Sequence, residues 1–152
     1  MSTSEDQLKG TWELLEWANL SASGERSYPL GNDATGYISY TADGHVLVQM
    51  CAKDRPNYAG SDPFGGSASE DMSALKSQIA YSGRYSVEET DVVHHVTHAT
   101  FPNWVGSKQR RRFSFEDPDT LILSAEGATF KGQTVTAIVR WARAASHTPT
   151  RH

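Results

Sequence analysis

Residues 36–50 read Gly-Tyr-Ile-Ser-Tyr-Thr-Ala-Asp-Gly-His-Val-Leu-Val-Gln-Met. Two runs rich in β-branched and aromatic residues flank a tight Thr41-Ala42-Asp43-Gly44 turn. An Asp-Gly turn between such runs is a strong local signal for a β-hairpin, so both runs are expected as antiparallel strands. The rhythm returns at 80–87, 91–100, 109–116, 120–125 and 134–144. Glu88-Glu89-Thr90 and Asp117-Pro118-Asp119 are links of hairpin length. With the run at 8–20, about eight strands are expected. Consecutive hairpins of similar spacing predict an all-β, up-and-down antiparallel meander. An open sheet of eight strands leaves two unpaired edges, and closure into a barrel removes them. A barrel of this size can enclose one small ligand. A flat sheet packed on a helix is the alternative, but one short helix cannot cover eight strands.

One segment departs from the rhythm. Residues 54–69 hold Pro56, Pro63 and three glycines, which predicts a long loop. A helix is expected over 69–80. Ser67 or Ser69 can cap it, Glu70 and Asp71 suit its positive end, and Met72, Leu75 and Ile79 share one stripe. Loop and helix are expected to sit over an opening of the barrel or to plug an end. The 152 residues suit a single domain over 1–145, followed by a frayed tail at 146–152.

Composition narrows the function classes. Four Trp, six Tyr and five Phe argue against disorder and supply a core. No run approaches the ~18 apolar residues of a membrane span. The start, Met-Ser-Thr-Ser-Glu-Asp-Gln, is polar and acidic, unlike a secretory leader. The single Cys51 excludes an internal disulfide and suits a reducing, cytoplasmic setting. A net charge of −4 argues against a nucleic-acid partner. No phosphate loop, dinucleotide fingerprint or Gly-x-Ser-x-Gly elbow is present, and no cofactor is expected.

The most unusual stretch is Asp91-Val-Val-His-His-Val-Thr-His-Ala-Thr100. On a helix, His94 and His98 would share a face as in zinc proteases. The β-branched residues at 92, 93, 96 and 97 favour a strand instead. On a strand the two share a face but lie about 13–14 Å apart at about 3.4 Å per residue, too far for one metal ion. No metal site is therefore expected. Alternation sends either His94 or His95 inward, where an imidazole can act as general acid or base.

Further candidates flank this strand. Phe101-Pro102-Asn103-Trp104-Val105-Gly106 reads as a strand end or corner. Asn103 and Trp104 would line a barrel mouth there, or cap the turn and fill the core. In the basic run Lys108 to Phe115, Arg111 alternates onto the face of Phe113 and Phe115. If that face is the interior, Arg111 needs a carboxylate or an anionic ligand group. Glu16, on the alternating face of Trp12 and Leu14, is a candidate partner. Gln49, Tyr81 and the rings of Trp12, Phe113 and Trp141 complete the expected pocket. Arg110 and Arg112 would form a solvated face. Asp54 and Arg55 look like a local ion pair. A wall of alternating valines is compatible with a homodimer.

These pieces also carry a resemblance. Gly10-Thr11-Trp12-Glu13-Leu14 is similar to the Gly-x-Trp start of calycin barrels. Tyr28-Pro29-Leu30-Gly31, the 36–44 segment, Asp54-Arg55-Pro56, Tyr81-Ser82-Gly83, His94-His95-Val96, the 101–106 corner and Arg111-Arg112-Phe113 follow in the order seen in the bacterial and fungal lipocalin-like domain family. The resemblance spans about residues 7–144. It implies an eight-stranded antiparallel lipocalin-like β-barrel with an internal pocket for a hydrophobic small molecule. Related barrels either carry apolar ligands or fold substrates toward cyclisation and isomerisation, and some members lie near natural-product biosynthesis genes. The leading functional expectation is therefore a cofactor-independent cyclase, isomerase or dehydratase acting on a polyketide-like, oxygenated substrate. His94 or His95 would be its acid/base and Arg111 would stabilise negative charge. The alternative is a non-catalytic carrier of an apolar ligand, with haem held by one His as a variant.

Overall fold

The computed structural model describes residues 4–150. Helix α1 spans Ser4–Leu8. It is followed by strands β1 (Gly10–Leu20), β2 (Arg26–Ser27), β3 (Thr35–Tyr40) and β4 (His45–Cys51). Helix α2 (Ala68–Lys76) precedes β5 (Gln78–Glu88), β6 (Asp91–Ala99), β7 (Lys108–Asp117), β8 (Thr120–Phe130) and β9 (Gln133–Arg143). From β3 onward each strand pairs antiparallel with the next, and β1 pairs with both β3 and β9. The β1–β9 pairing runs from Trp12 opposite Arg143 to Leu20 opposite Thr136. Eight long strands thus form a closed antiparallel barrel, as the hairpin rhythm predicts. The two-residue β2 only extends the edge of β1 at Asn19 and Leu20. No helix among the described residues is long and apolar enough to cross a membrane.

The turns follow local chemistry. Gly44, at φ 91°, closes the β3–β4 hairpin as read from the sequence. Lys131 and Gly132 both have positive φ and join β8 to β9 in a two-residue link, as hairpin twist favours. Sequence reasoning ends β8 at residue 125. The strand instead passes through a bulge between Ala125 and Ala128, where Gly127 takes φ 75°.

One end of the barrel is sealed. Leu8 of α1 and Trp12 are both fully buried, and the Trp12 indole N–H donates to the Leu8 carbonyl at 2.9 Å. The Arg143 guanidinium lies 4.1 Å from the Trp12 ring centroid. It also donates to the carbonyls of Gln7 and Lys9. Trp12 is therefore closed-end core and not the ligand wall expected of it.

The other end carries the loops and α2. This helix stops at Lys76, four residues short of expectation, because residues 78–80 join β5. Ile79 consequently packs against the core from a strand. Met72 and Leu75 are 60% and 56% exposed, so the expected apolar stripe is not buried. Polar contacts hold the helix instead. The Ser67 hydroxyl accepts from the Glu70 N–H, and Glu70 accepts from the Ser67 N–H. Arg55 is not paired with Asp54; it donates to the Ser77 hydroxyl and the Ala74 carbonyl at the helix C-terminus. With no buried side chain in α2, its caps carry much of its stability. Ser67→Ala is expected to cost about 1 kcal/mol locally. Hydrogen exchange should then quicken in α2 and leave the barrel strands unchanged.

Candidate functional site

Alternation and its interruptions decide what reaches the barrel interior. On β6, Val92, His94 and Val96 point inward and are essentially fully buried. An extra residue then enters β6, since Gly83 pairs with Val96 and Ser82 with His98. This bulge leaves His98 exposed on the outer wall, so His94 and His98 do not share a face. His95 faces outward and bonds Ser86 at 3.0 Å. A second bulge, between Leu14 and Glu16 on β1, leaves Leu15 46% exposed. It turns Trp17 and Asn19 toward the interior and Glu16 outward to Arg26, at 2.6 Å. Glu16 is not the partner of Arg111.

Above the sealed end lies a cavity of about 370 Å³. Its apolar wall includes Ile38, Val48, Met50, Leu123 and Val139, and three of the four tryptophans, Trp17, Trp104 and Trp141, line it. Pro29, Leu30, Lys76, Gln78 and Phe130 also reach it. Tyr81, Trp104, Arg111 and Trp141 were legible as site residues from sequence and are brought together here. Trp104 stands edge-on to Tyr81 with centroids 5.6 Å apart. The other expected residues lie elsewhere. Phe113 is core beside Phe115. Asn103 is exposed in the 3-10 turn Pro102–Trp104. Gln49 is exposed, on the outer wall with Tyr37 and Leu47. Trp17, Asn19, Gln78 and Phe130 escaped sequence reasoning because bulges and a shortened helix control their facing. The Leu14-Leu15 doublet, which breaks strict alternation, was the available signal for the first bulge.

Behind the cavity wall a polar chain crosses the core. The Tyr81 hydroxyl bonds Nδ1 of His94 at 2.8 Å, and Nε2 bonds the Tyr40 hydroxyl at 2.8 Å. Burial pushes His94 down to about 3, helped by the nearby Arg111 guanidinium, so the ring is neutral. Burial likewise raises Tyr40 and Tyr81, which stay protonated. His94 is inward, as one of the pair had to be, but it touches the two tyrosines and not the cavity.

Two donors are less well matched. The Trp141 indole N–H is buried and has no hydrogen-bond partner among the described residues. Arg111 donates to the Gln109 side-chain oxygen at 2.7 Å and the Arg110 carbonyl at 3.2 Å. Among the described residues it has no carboxylate partner. Arg110, on the opposite face, is paired with Glu88 and Asp91.

The match to a known family agrees with this architecture. The lipocalin-like domain family matches residues 9–144. The chain belongs to that family. This lipocalin-like chain is 30% identical over 74 residues to the 4'-hydroxy-3'-methoxypropiophenone carrier protein ppsC of Aspergillus oryzae, covering 43% of this chain and 67% of the relative. Among solved structures it is similar to a redesigned β-barrel at 13% identity and TM-score 0.45, over 95% of this chain and 98% of that one. An uncharacterized protein from Bacteroides eggerthii is similar at 12% identity and TM-score 0.45, over 89% and 98%.

No histidine lines the lipocalin-like cavity, and both nitrogens of His94 are engaged by tyrosines. The residues present therefore do not fit a haem with a histidine axial ligand. No cluster of three or more His, Cys, Asp or Glu suited to a metal ion occurs among the described residues.

Proposed function

We propose that this lipocalin-like barrel reversibly binds a small, largely apolar and aromatic molecule bearing acceptor oxygens, and serves as its carrier. The observation that carries the reading is the character of the cavity. Its wall is aromatic and aliphatic, its polar groups include Tyr81, Trp141 and Arg111, and it contains no Asp, Glu, His or Cys. Such a lining orients a ligand by hydrogen bonds to its oxygens. It offers no group poised to exchange protons near neutral pH, because the one inward imidazole sits behind Tyr81. The name of the Aspergillus oryzae relative, a carrier of an aromatic ketone, supports the same class of ligand.

A catalytic version keeps one support. Arg111 and Tyr81 are suited to stabilising negative charge on a carbonyl, so a cofactor-independent cyclisation, isomerisation or dehydration of a polyketide-like substrate would rest on them and on shape. Titration with 4'-hydroxy-3'-methoxypropiophenone tests binding directly. With three tryptophans on the cavity wall, saturable quenching of indole emission is expected. A folded protein showing no saturable change would refute the reading. Recovery of a chemically altered ketone would favour the catalytic version.

A further inference from the structure

Charge and proton placement in the cavity say more about the ligand. The charged or titratable groups facing it are Lys76 from α2, Tyr81 from β5 and Arg111 from β7. Strands β1, β3, β4, β8 and β9 contribute neutral side chains, and β6 contributes none. Both charges are therefore positive. Lys76 sits at the exposed mouth, whereas Arg111 is half-buried within the barrel wall. A guanidinium carries more donors than the two bonds to Gln109 and the Arg110 carbonyl use. A half-buried cation held only by neutral oxygens lacks the partner that normally offsets its desolvation.

The buried relay adds a donor. Tyr40, neutral His94 and Tyr81 hold three protons and make two hydrogen bonds. If Tyr81 donates to His94, the ring donates to Tyr40. The Tyr40 proton is then left in the core, where His94 is its only hydrogen-bonding neighbour among the described residues. An unmatched buried donor is costly. In the reverse arrangement Tyr40 donates to Nε2 and Nδ1–H donates to Tyr81. The spare proton then belongs to Tyr81, the one member of the chain that lines the cavity. The relay thus presents Tyr81 as a donor toward the ligand, alongside the unpartnered Trp141 N–H.

We propose that the cavity takes its ligand as an oxyanion, a phenolate or carboxylate on an apolar frame, with Arg111 as counter-ion and the Tyr81 hydroxyl as a donor to the ligand. The assignment rests on the small-molecule reading above and deepens it. Tyr81 itself does not ionise beside Arg111, because burial raises its pKa against the pull of the guanidinium, to which its oxygen makes no hydrogen bond. A ligand oxygen is free to make that bond.

The test uses 4'-hydroxypropiophenone, whose phenol ionises with a change in absorption, and its 4'-methoxy analogue, which cannot ionise. Burial alone would raise the phenol pKa. Pairing with Arg111 is expected to lower it on binding, with the phenolate held about tenfold or more tighter than the neutral form. Arg111→Gln is expected to abolish the shift and Arg111→Lys to retain it. A bound phenol with unchanged or raised pKa overturns the oxyanion assignment and leaves small-molecule binding standing. A shift undiminished in Arg111→Gln overturns the counter-ion assignment. If neither compound binds, the small-molecule reading fails and this inference fails with it.

Discussion

Trp12→Ala is expected to lower the unfolding free energy by about 3–5 kcal/mol, a large fraction of the ~5–15 kcal/mol available to a domain. Three losses combine. The fully buried indole leaves a void at the sealed end. The Leu8 carbonyl loses the N–H that satisfies it. Arg143 loses the ring beneath its guanidinium. Trp12→Phe separates these effects, since a ring remains but the N–H does not. It is expected to cost about 1–3 kcal/mol, mainly from the unsatisfied carbonyl. Urea denaturation of both variants provides the comparison. If Trp12→Ala costs no more than Trp12→Phe, the packing account of the sealed end is wrong.

Acid is expected to destabilise the barrel well before its carboxylates are protonated, and His94 is the cause. Unfolded, it titrates near the ordinary value of 6.5; folded, it is pushed down to about 3. Between those values the unfolded chain binds a proton that the folded chain excludes. Stability therefore rises with pH through this window and levels off above about 6.5. It falls as pH drops toward 3. Each pH unit below 6.5 costs about 1.4 kcal/mol, so about 2–3 kcal/mol is lost by pH 4.5. His94→Gln keeps a donor and an acceptor but cannot titrate, and should flatten the profile over the same range. Equal slopes for wild type and variant in pH-dependent denaturation would show that His94 is not the group responsible.

The two positions also mark how far the sequence could be read. Trp12 was read as pocket wall, yet it fills the sealed end, a place that depends on α1, which no sequence pattern had indicated. His94 was singled out with His95 because alternation forces one inward. Its isolation from the cavity depends on Tyr40 and Tyr81, which lie 54 and 13 residues away in the chain. Alternation put Arg111 on the face of Phe113, and in the structure it lines the cavity. Gln49 and Phe113 were misplaced because alternation separates two faces but does not say which inward positions face the cavity and which are filled by core. Val46, Val48, Val92, Val93 and Val96 are all at or below 5% exposure, so they form no exposed wall of valines.

Hairpin spacing and turn residues point to an eight-stranded antiparallel barrel, because each rests on chemistry local to a few neighbouring residues, and the Gly-x-Trp start adds a family resemblance. The cavity was decided by the tertiary structure. A single inserted residue in β1 or β6 reverses the facing of everything beyond it. The partners that neutralise or fail to neutralise a buried group come from strands remote in sequence. Among the described residues, the lack of a carboxylate beside Arg111 is such a long-range fact.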